Sequence, residues 1–225
     1  MAPPTLIIAD DHPLFRAALK EAVGRHMPSA AIIEASSLDT LQRAIAEHAE
    51  ADLVLLDLRM PGAQGFAALL FLRAEYPAVP VIVVSAAEDP KVVQRALDFG
   101  ASGFIPKSAR IESIGESLRT VLGGGISAPP LPQRLPKAEV EDRELARRLA
   151  SLTPQQLKVL IMLAEGQSNK NIAGSLAITE ATVKAHITGI LRKLMIERRT
   201  QAAVLAQRLL QTGERADLSD LEDDA

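Results

Sequence analysis

The stretch that decides the fold is Leu53–Gly62, with the sequence LVLLDLRMPG. Four consecutive apolar residues end on the carboxylate of Asp57, and the turn signal Pro61-Gly62 follows closely. A short, unbroken apolar run is typical of a strand that is buried on both faces of a parallel sheet. Such sheets bind their ligands just beyond the carboxyl ends of the strands. Asp57 lies at that edge, although an aspartate in this position serves equally well as a cap of the following turn.

Short apolar runs and helical patterns alternate on both sides of this stretch. The apolar runs predict strands at Leu6–Ala9, Ala31–Ile33, Leu53–Leu56, Val79–Val84 and Gly103–Ile105. The helical patterns predict helices at Leu14–Met27, Leu38–His48, Phe66–Tyr76, Val92–Phe99 and Ile111–Leu122. Helix-start signals stand at Pro13, Ser37 and Pro90. This alternation predicts an α/β fold with a flavodoxin-like, doubly wound, five-stranded parallel sheet.

Polar side chains follow four of the predicted strands. Asp10 and Asp11 follow the first, Asp57 the third, Ser85 the fourth and Lys107 the fifth. These residues would meet at one edge of the sheet, where carboxylates repel each other unless a cation is present. Hard oxygen ligands suit Mg²⁺, which retains several waters and bridges to a phosphoryl group. We therefore predict that Asp57 is a nucleophile that forms an aspartyl-phosphate and that Lys107 neutralises a phosphoryl oxygen.

This constellation resembles the receiver domain of bacterial two-component response regulators. The resemblance runs through residues 5–123 and includes the acid pair, the motif DLRMPG and the motif GASGFIP that precedes the lysine. It implies that Asp57 is the phosphoacceptor and that Asp11, Asp57 and the backbone carbonyl of Arg59 contact Mg²⁺. It also implies that Asp10 contacts the metal directly or through water.

The same resemblance implies a conformational switch. Ser85 corresponds to the hydroxyl that engages the phosphoryl group, and Phe104 to the aromatic residue that moves inward when it does so. Each residue alone also suits an ordinary role, Ser85 as a helix-start signal and Phe104 as a core residue. Their placement at successive strand ends favours the switch.

A competing class of phosphoaspartate proteins also places its aspartate after an apolar strand. Haloacid-dehalogenase-like phosphatases and pumps need a second acid two residues later to protonate the leaving group. Arg59 occupies that position. The phosphatase hypothesis therefore fails on its chemistry, and we expect a regulator that is not an enzyme.

Composition and charge change after residue 125. Residues 1–125 carry 11 Lys/Arg against 15 Asp/Glu, whereas residues 151–213 carry 8 against 3. We predict a receiver domain at 1–125, a Pro-rich linker at 126–150, a DNA-binding domain at 151–213 and an acidic disordered tail at 214–225. Within the linker, Lys137–Ala150 is either a helix or a partner-binding surface. The tail could alternatively screen the basic domain.

The second half carries the pattern of a helix-turn-helix module. Thr153, Pro154 and Gln156 predict a helix start with a capping box, and Ser168 opens a shorter helix. Thr179 opens a longer helix that runs to about Met195, and a further helix covers Gln201–Leu210. Compact helices with a net positive charge predict an all-α, four-helix DNA-binding domain.

The helix that begins at Glu180 has an apolar face and a basic face. Its predicted core residues are Val183, Ile187, Ile190, Leu191 and Leu194. Small residues among basic ones allow close approach to a DNA groove, and basic residues reach phosphates. The predicted DNA contacts are Lys184, Ala185, His186, Thr188, Arg192, Lys193, Arg198 and Arg199.

Residues 151–210 closely resemble the LuxR-type DNA-binding domain of NarL/FixJ-type regulators. Val183, Lys184 and His186 stand where that family has its TVKxH signature. Two positions depart from the family pattern. Amides stand at Gln155-Gln156 where an acid is frequent, and Thr188 replaces a frequent second basic residue, which puts the base preference in doubt.

Together these features predict a phosphorylation-controlled transcription factor. The resemblance implies a sensor histidine kinase that phosphorylates Asp57, and binding to double-stranded DNA as a homodimer. Because the chain has no cysteine, no signal-peptide pattern and no long apolar run, we expect a cytoplasmic protein without a membrane partner. Some relatives of this family act without phosphorylation, and the intact set of acids, serine and lysine argues against that alternative.

Overall fold

Strands and helices alternate in the amino-terminal half as the apolar pattern predicts. The structure is a computed structural model that describes residues 3–63, 65–131 and 137–210. The strands are β1 Thr5–Ala9, β2 Ala31–Ala35, β3 Leu53–Asp57, β4 Val81–Ser85 and β5 Gly103–Pro106. The helices between and after them are α1 Pro13–His26, α2 Leu38–Glu47, α3 Ala67–Glu75, α4 Pro90–Asp98 and α5 Ile111–Leu122.

The five strands form one parallel sheet in the order β2-β1-β3-β4-β5. This order places β3 in the centre, and all five of its residues are buried. Ala9 pairs with Leu56 and Asp57 with Val84, so the ends of β1, β3 and β4 lie at the same edge. The predicted doubly wound fold is thereby confirmed.

Local signals fix where the helices begin. Ser37 accepts a hydrogen bond from the backbone of Thr40, whose hydroxyl accepts one from Ser37 in return, which completes a capping box before α2. Proline occupies the first position of α1 and α4, where its missing N–H costs nothing. Gly124 follows α5 with φ +82°, a conformation that favours glycine.

The carboxyl-terminal half is helical, as predicted. Its helices are α6 Lys137–Ala150, α7 Pro154–Ala164, α8 Asn169–Leu176, α9 Glu180–Leu194 and α10 Arg199–Leu210. Thr153 and Gln156 form the predicted capping box before α7. Gly189 of α9 lies so close to Gln156 that an added Cβ would stand 2.7 Å from its amide nitrogen. That nitrogen is the end of a flexible side chain, so a larger residue at position 189 would have to displace the Gln156 amide, whose oxygen accepts the Thr153 N–H.

Of the two alternatives left open for Lys137–Ala150 in the linker, the structure shows the helix, α6. Residues 137–150 form a helix, and Ala146 and Leu149 are buried against neighbouring helices. The helix contacts α3 and α4 of the first half and α9 of the second. Pro132 and Pro136 of the predicted spacer lie outside the described residues, as does the predicted acidic tail from Glu214.

The two halves also contact each other directly through α3 and α7. Lys158 of α7 lies 3.2 Å from a carboxylate oxygen of Glu75 and 6.0 Å from the centre of the Phe71 ring. We call these three residues the interdomain contact. Within the described parts of the chain, no helix is long and apolar enough to cross a membrane.

Candidate functional site

The carboxyl ends of β1, β3 and β5 bring three charged side chains together. Asp10 and Asp57 are almost fully buried, with 1% and 2% of their side chains exposed. The ammonium of Lys107 lies 2.7 Å from Oδ2 of each. One cation thus neutralises two buried carboxylates, which removes much of the repulsion that the cluster would otherwise suffer. We call Asp10, Asp11, Asp57 and Lys107 the acid pocket.

Asp57 is held in place by the turn that follows β3. The backbone N–H of Arg59 donates to its Oδ1 at 3.0 Å, while Lys107 approaches its Oδ2. Burial raises the pKa of the Asp57 carboxyl, and the hydrogen bonds from Lys107 and Arg59 offset that shift only in part. An added cation in the pocket would favour the carboxylate, which is the nucleophilic form.

Lys107 remains a cation in this pocket. Burial alone would lower the pKa of its ammonium, but the hydrogen bonds to Asp10 and Asp57 outweigh burial and raise it. The ring of Phe15 in α1 lies 4.8 Å from the ammonium nitrogen and adds a cation–π contact. The side chain is therefore charged, fixed and adjacent to the phosphoacceptor candidate.

The switch candidates lie on β4 and β5 beside the pocket. Ser85 is buried, and its Oγ accepts a hydrogen bond from the backbone N–H of Ala87 at 3.2 Å. Its carbonyl accepts from the backbone N–H of Lys107 at 2.8 Å, which ties the ends of the two strands together. Phe104 is 2% exposed and lies inside the domain.

The acidic groups of the pocket fit a divalent cation. Ligand atoms of Asp10, Asp11, His12 and Asp57 all lie within 4.8 Å of one another. Oδ1 of Asp11 is buried and accepts no hydrogen bond from the described residues, although an oxygen of this kind normally has a partner. An oxygen donor set with an unsatisfied carboxylate oxygen suits Mg²⁺. The three predicted carboxylate ligands, Asp10, Asp11 and Asp57, are thus brought together, and the Arg59 carbonyl stays a predicted ligand.

A cleft of about 490 Å³ opens onto this pocket. Polar and charged groups lie at its base, and α1 supplies an apolar wall. The lining residues are His12, Leu14, Phe15, Ala18, Asp57, Arg59, Ala86 and Lys107. Leu14 is 88% exposed at the rim, so the base of the cleft is reached past an apolar surface.

Helix α9 divides into two faces as the sequence predicts. Val183, Ile187, Ile190 and Leu194 are buried, and Leu191 is half-buried. On the opposite face Lys184, Ala185, Thr188 and Arg192 are exposed, and His186 and Lys193 flank them at intermediate exposure. Thr179 caps the helix by accepting a hydrogen bond from the backbone N–H of Thr182 at 3.1 Å. The basic face is accessible along the length of the helix.

Three of the predicted DNA-contacting residues form hydrogen bonds within the helical domain. Lys193 donates to the carbonyl of Ser151 at 2.8 Å. The guanidinium of Arg199 donates to the side chain of Asn169 at 2.7 Å and to the carbonyl of Gln167 at 2.6 Å. The backbone N–H of Arg198 donates to Gln201 at 3.0 Å. Lys193 and Arg199 thus have internal partners, and their predicted contacts to phosphates stay predictions.

His12 and Phe15 are members of the site that the sequence pattern did not predict. Both belong to the start of α1, immediately after the acid pair, so helix α1 carries them towards the pocket. Their position directly after a strand that ends in acids was the available signal. Lys158 was missed as well, because its partners lie more than eighty residues earlier in the chain.

Comparison with known protein families fits both halves of the chain. Residues 6–119 match the model of the "Response regulator receiver domain", and residues 150–206 match "Bacterial regulatory proteins, luxR family". The chain is a two-component response regulator of the LuxR type. This response regulator is 41% identical over 207 residues to a glycerol metabolism activator of Pseudomonas putida, covering 89% of this chain and 94% of that one.

Other relatives support the same family. The nitrate/nitrite response regulator protein NarL of Escherichia coli is 31% identical over 204 residues, which cover 90% of this chain and 94% of NarL. Among solved structures, the RcsB response regulator of Salmonella typhimurium aligns with a TM-score of 0.52 at 21% identity and covers 91% of this chain and 98% of that chain. That structural likeness supports the fold. The homologues are transcriptional regulators, and this response regulator combines a receiver domain with a DNA-binding domain of their type.

Proposed function

We propose that this response regulator accepts a phosphoryl group on Asp57 from a sensor histidine kinase and then controls transcription through α9. The observation that carries the proposal is the acid pocket. A buried carboxylate at the end of the central strand lies 2.7 Å from the Lys107 ammonium and next to two further acids. If Asp57 only capped the turn after β3, it would not need a lysine and two further acids beside it.

The chemistry follows from the two oxygens of Asp57. Oδ1 is held by the backbone N–H of Arg59, and Oδ2 faces Lys107. One carboxylate oxygen attacks phosphorus while the bond from phosphorus to the imidazole nitrogen of the kinase breaks, and that nitrogen keeps the electron pair. Lys107 is then positioned to leave the carboxylates and neutralise a phosphoryl oxygen.

Asp10, Asp11, Asp57 and the Arg59 carbonyl are the groups that would hold Mg²⁺. When bound, the ion would supply positive charge beside the developing charge of the transferred phosphoryl group. The residues of the chain hold and orient the acceptor oxygen. Ser85, whose Oγ accepts only the Ala87 N–H among the described contacts, is the hydroxyl proposed to turn to the phosphoryl group.

For DNA binding we propose that α9 enters the major groove as the second helix of the α8–α9 pair. Lys184 and Ala185 lie in the half nearer its amino terminus, which helix-turn-helix proteins direct towards base edges, and Thr188 follows just past the midpoint. The Thr188 hydroxyl donates to the Lys184 carbonyl at 3.0 Å, and the residue is exposed. The residues proposed to contact the phosphate backbone of the DNA are His186, Arg192, Lys193, Arg198 and Arg199.

We also propose where this response regulator acts and what it binds. We propose a cytoplasmic protein that binds double-stranded DNA as a homodimer after phosphorylation, with no membrane partner and no enzymatic activity on a separate substrate. The domain limits 1–125, 126–150, 151–213 and 214–225 belong to the same proposal. The exposure of the basic face of α9 supports DNA binding without a further rearrangement inside the helical domain.

The proposal is tested by incubating the full chain with acetyl phosphate and Mg²⁺ and measuring its intact mass. We expect one added phosphoryl group, which is lost when a chelator replaces Mg²⁺. A gel-shift titration with double-stranded DNA then measures binding before and after phosphorylation. Absence of any mass gain, with DNA binding intact, would support the phosphorylation-independent alternative instead.

A further inference from the structure

His12 directs its imidazole into the acid pocket. It occupies the N-cap position of α1, yet its side chain makes no capping hydrogen bond. Its Nδ1 lies 2.8 Å from Oδ1 of Asp11, 3.5 Å from Oδ1 of Asp10 and 3.9 Å from Oδ2 of Asp57. The side chain is 64% exposed, so the ring stands at the mouth of the pocket with one nitrogen turned inward.

The shortest of these contacts joins Nδ1 of His12 to Oδ1 of Asp11. Oδ1 of Asp11 is buried and accepts no hydrogen bond from the described residues, although His12 Nδ1 is only 2.8 Å away. Two donor atoms of one octahedral cation, each about 2.1 Å from it, are about 3 Å apart when adjacent and about 4.2 Å apart when opposed. The distances from Nδ1 to the three carboxylates fall within or just below that span.

The two oxygens of Asp10 face different sides of the pocket, one towards Lys107 and the other towards His12. Its Oδ2 lies 2.7 Å from the Lys107 ammonium, whereas its Oδ1 faces His12 and accepts the His12 backbone N–H at 2.7 Å. Lys107 therefore occupies one side of the carboxylates and leaves the His12 side for another cation. The imidazole nitrogen lies on that second side, together with Oδ1 of Asp11.

We propose that His12 is a nitrogen ligand of this pocket and shifts its preference from Mg²⁺ towards a first-row transition metal. Carboxylates and waters alone suit Mg²⁺ and Mn²⁺, whereas an imidazole nitrogen suits Co²⁺, Ni²⁺ and Zn²⁺. This inference rests on the metal-binding role proposed above for Asp10, Asp11 and Asp57. It adds a ligand and a metal class to that role.

The test compares metals on unphosphorylated full-length protein by isothermal titration calorimetry at fixed pH. Wild type, His12→Asn and the control His48→Asn are titrated with Mg²⁺ and with Co²⁺. His48 ends α2 away from the pocket, so its loss reports any adventitious imidazole binding. We expect His12→Asn to lose about 10-fold or more in Co²⁺ affinity. Its Mg²⁺ affinity should stay the same, and His48→Asn should match wild type for both metals.

Equal losses for both metals in His12→Asn would overturn the proposal, because they would indicate an ordinary electrostatic or structural contact of His12 with Asp11. An unchanged Co²⁺ affinity would overturn it as well. A second measurement needs no variant of His12. In ¹⁵N-histidine-labelled wild type, Zn²⁺ should shift the His12 ring nitrogens and Mg²⁺ should not. Ring resonances unmoved by Zn²⁺ would contradict ligation.

These measurements are independent of phosphoryl transfer. If the chain gains no phosphate from acetyl phosphate yet loses Co²⁺ selectively on His12 substitution, the proposed function fails and the metal inference stands. If it gains phosphate normally while His12→Asn binds both metals like wild type, the proposed function stands and the metal inference fails.

Discussion

The acid pocket and the basic face of α9 are built in opposite ways. The pocket collects its residues from three strand ends that are far apart in sequence, buries Asp10 and Asp57 and pairs their charges with Lys107. The basic face takes its residues from one helix and leaves Lys184, Ala185 and Thr188 exposed. A site formed by convergence depends on every member, whereas a surface on one helix spreads its function over separate contacts. Substitutions should therefore act as complete losses in the pocket and as graded losses on α9.

The largest effect is expected for Asp57→Asn, which removes the proposed nucleophile. An amide cannot form the acyl phosphate, so the intact mass should show no phosphoryl gain with acetyl phosphate and Mg²⁺. The fold should persist, because Lys107 keeps Asp10 as a partner and a buried charge with a raised pKa has been removed. Thermal unfolding at neutral pH should show the same or a slightly higher midpoint. A mass gain equal to that of wild type would assign phosphorylation elsewhere.

Asp11→Ala should have the next largest effect, since it removes a proposed metal ligand and keeps the proposed nucleophile. We expect metal-dependent phosphorylation to be abolished and the unfolding transition to be retained, because Asp11 is only partly buried. The matched control is Asp39→Ala, an exposed acid on α2 that pairs with Arg43. Full labelling of Asp11→Ala would show that the convergent pocket tolerates the loss of a member, which would break the comparison.

On α9 a smaller and position-dependent effect is expected. Lys184→Ala or Thr188→Ala should cost about 1–3 kcal/mol on a specific operator and little on scrambled DNA, because a base contact is lost. Lys193→Ala should instead weaken both DNAs alike and lower the salt slope by about one for each lost phosphate contact.

Lys193 and Lys184 are matched controls for each other, because they carry the same charge on the same helix. A salt titration of each variant on both DNAs makes the distinction. Equal losses on both DNAs for Lys184→Ala would make it a phosphate contact. If all these variants bound like wild type, α9 would not be the recognition helix. For Arg199→Ala a lower unfolding midpoint is also expected, because its bonds to Asn169 and Gln167 are lost.

The smallest effect concerns the lifetime of the phosphoryl group. Ala87 lies two residues after Ser85 and offers no side-chain group that could orient an attacking water, while Arg59 lines the cleft. We expect slow self-dephosphorylation in wild type and a several-fold shorter lifetime in Ala87→Asn, whose amide can position water. The lifetime is measured by following the loss of the phosphorylated mass over time. Ala87→Val adds bulk without an amide and should not shorten the lifetime; equal effects of both variants would exclude the amide as the cause.

The sequence was sufficient for the sheet and for the main members of the pocket. Each strand is a short apolar run, and the polar residue that ends it can be located without knowing its partners. Ile111–Leu122 was predicted with the bounds of α5, and the other helix ends differ by a few residues because terminal turns depend on capping. The parallel arrangement then brings Asp10, Asp57 and Lys107 together.

Side-chain direction and packing between the halves could not be predicted. Whether the His12 ring caps α1 or turns to Asp11 depends on rotamers that the sequence pattern does not encode. Arg199 looked like a free phosphate contact, because the carbonyl of Gln167 that it binds lies thirty-two residues earlier. The burial of Ala146 and Leu149 in α6 likewise depends on helices from both halves.

The interdomain contact of Lys158 with Glu75 and Phe71 has a thermodynamic consequence that runs in both directions. If aspartyl-phosphate formation changes the free energy of this contact and thereby changes DNA affinity by some factor, detailed balance fixes the reverse effect at the same factor. Operator DNA would then shift the equilibrium between acetyl phosphate and the phosphorylated chain by that amount. In Lys158→Ala both shifts should shrink together, so the promoter itself would help to decide how much of the regulator carries phosphate.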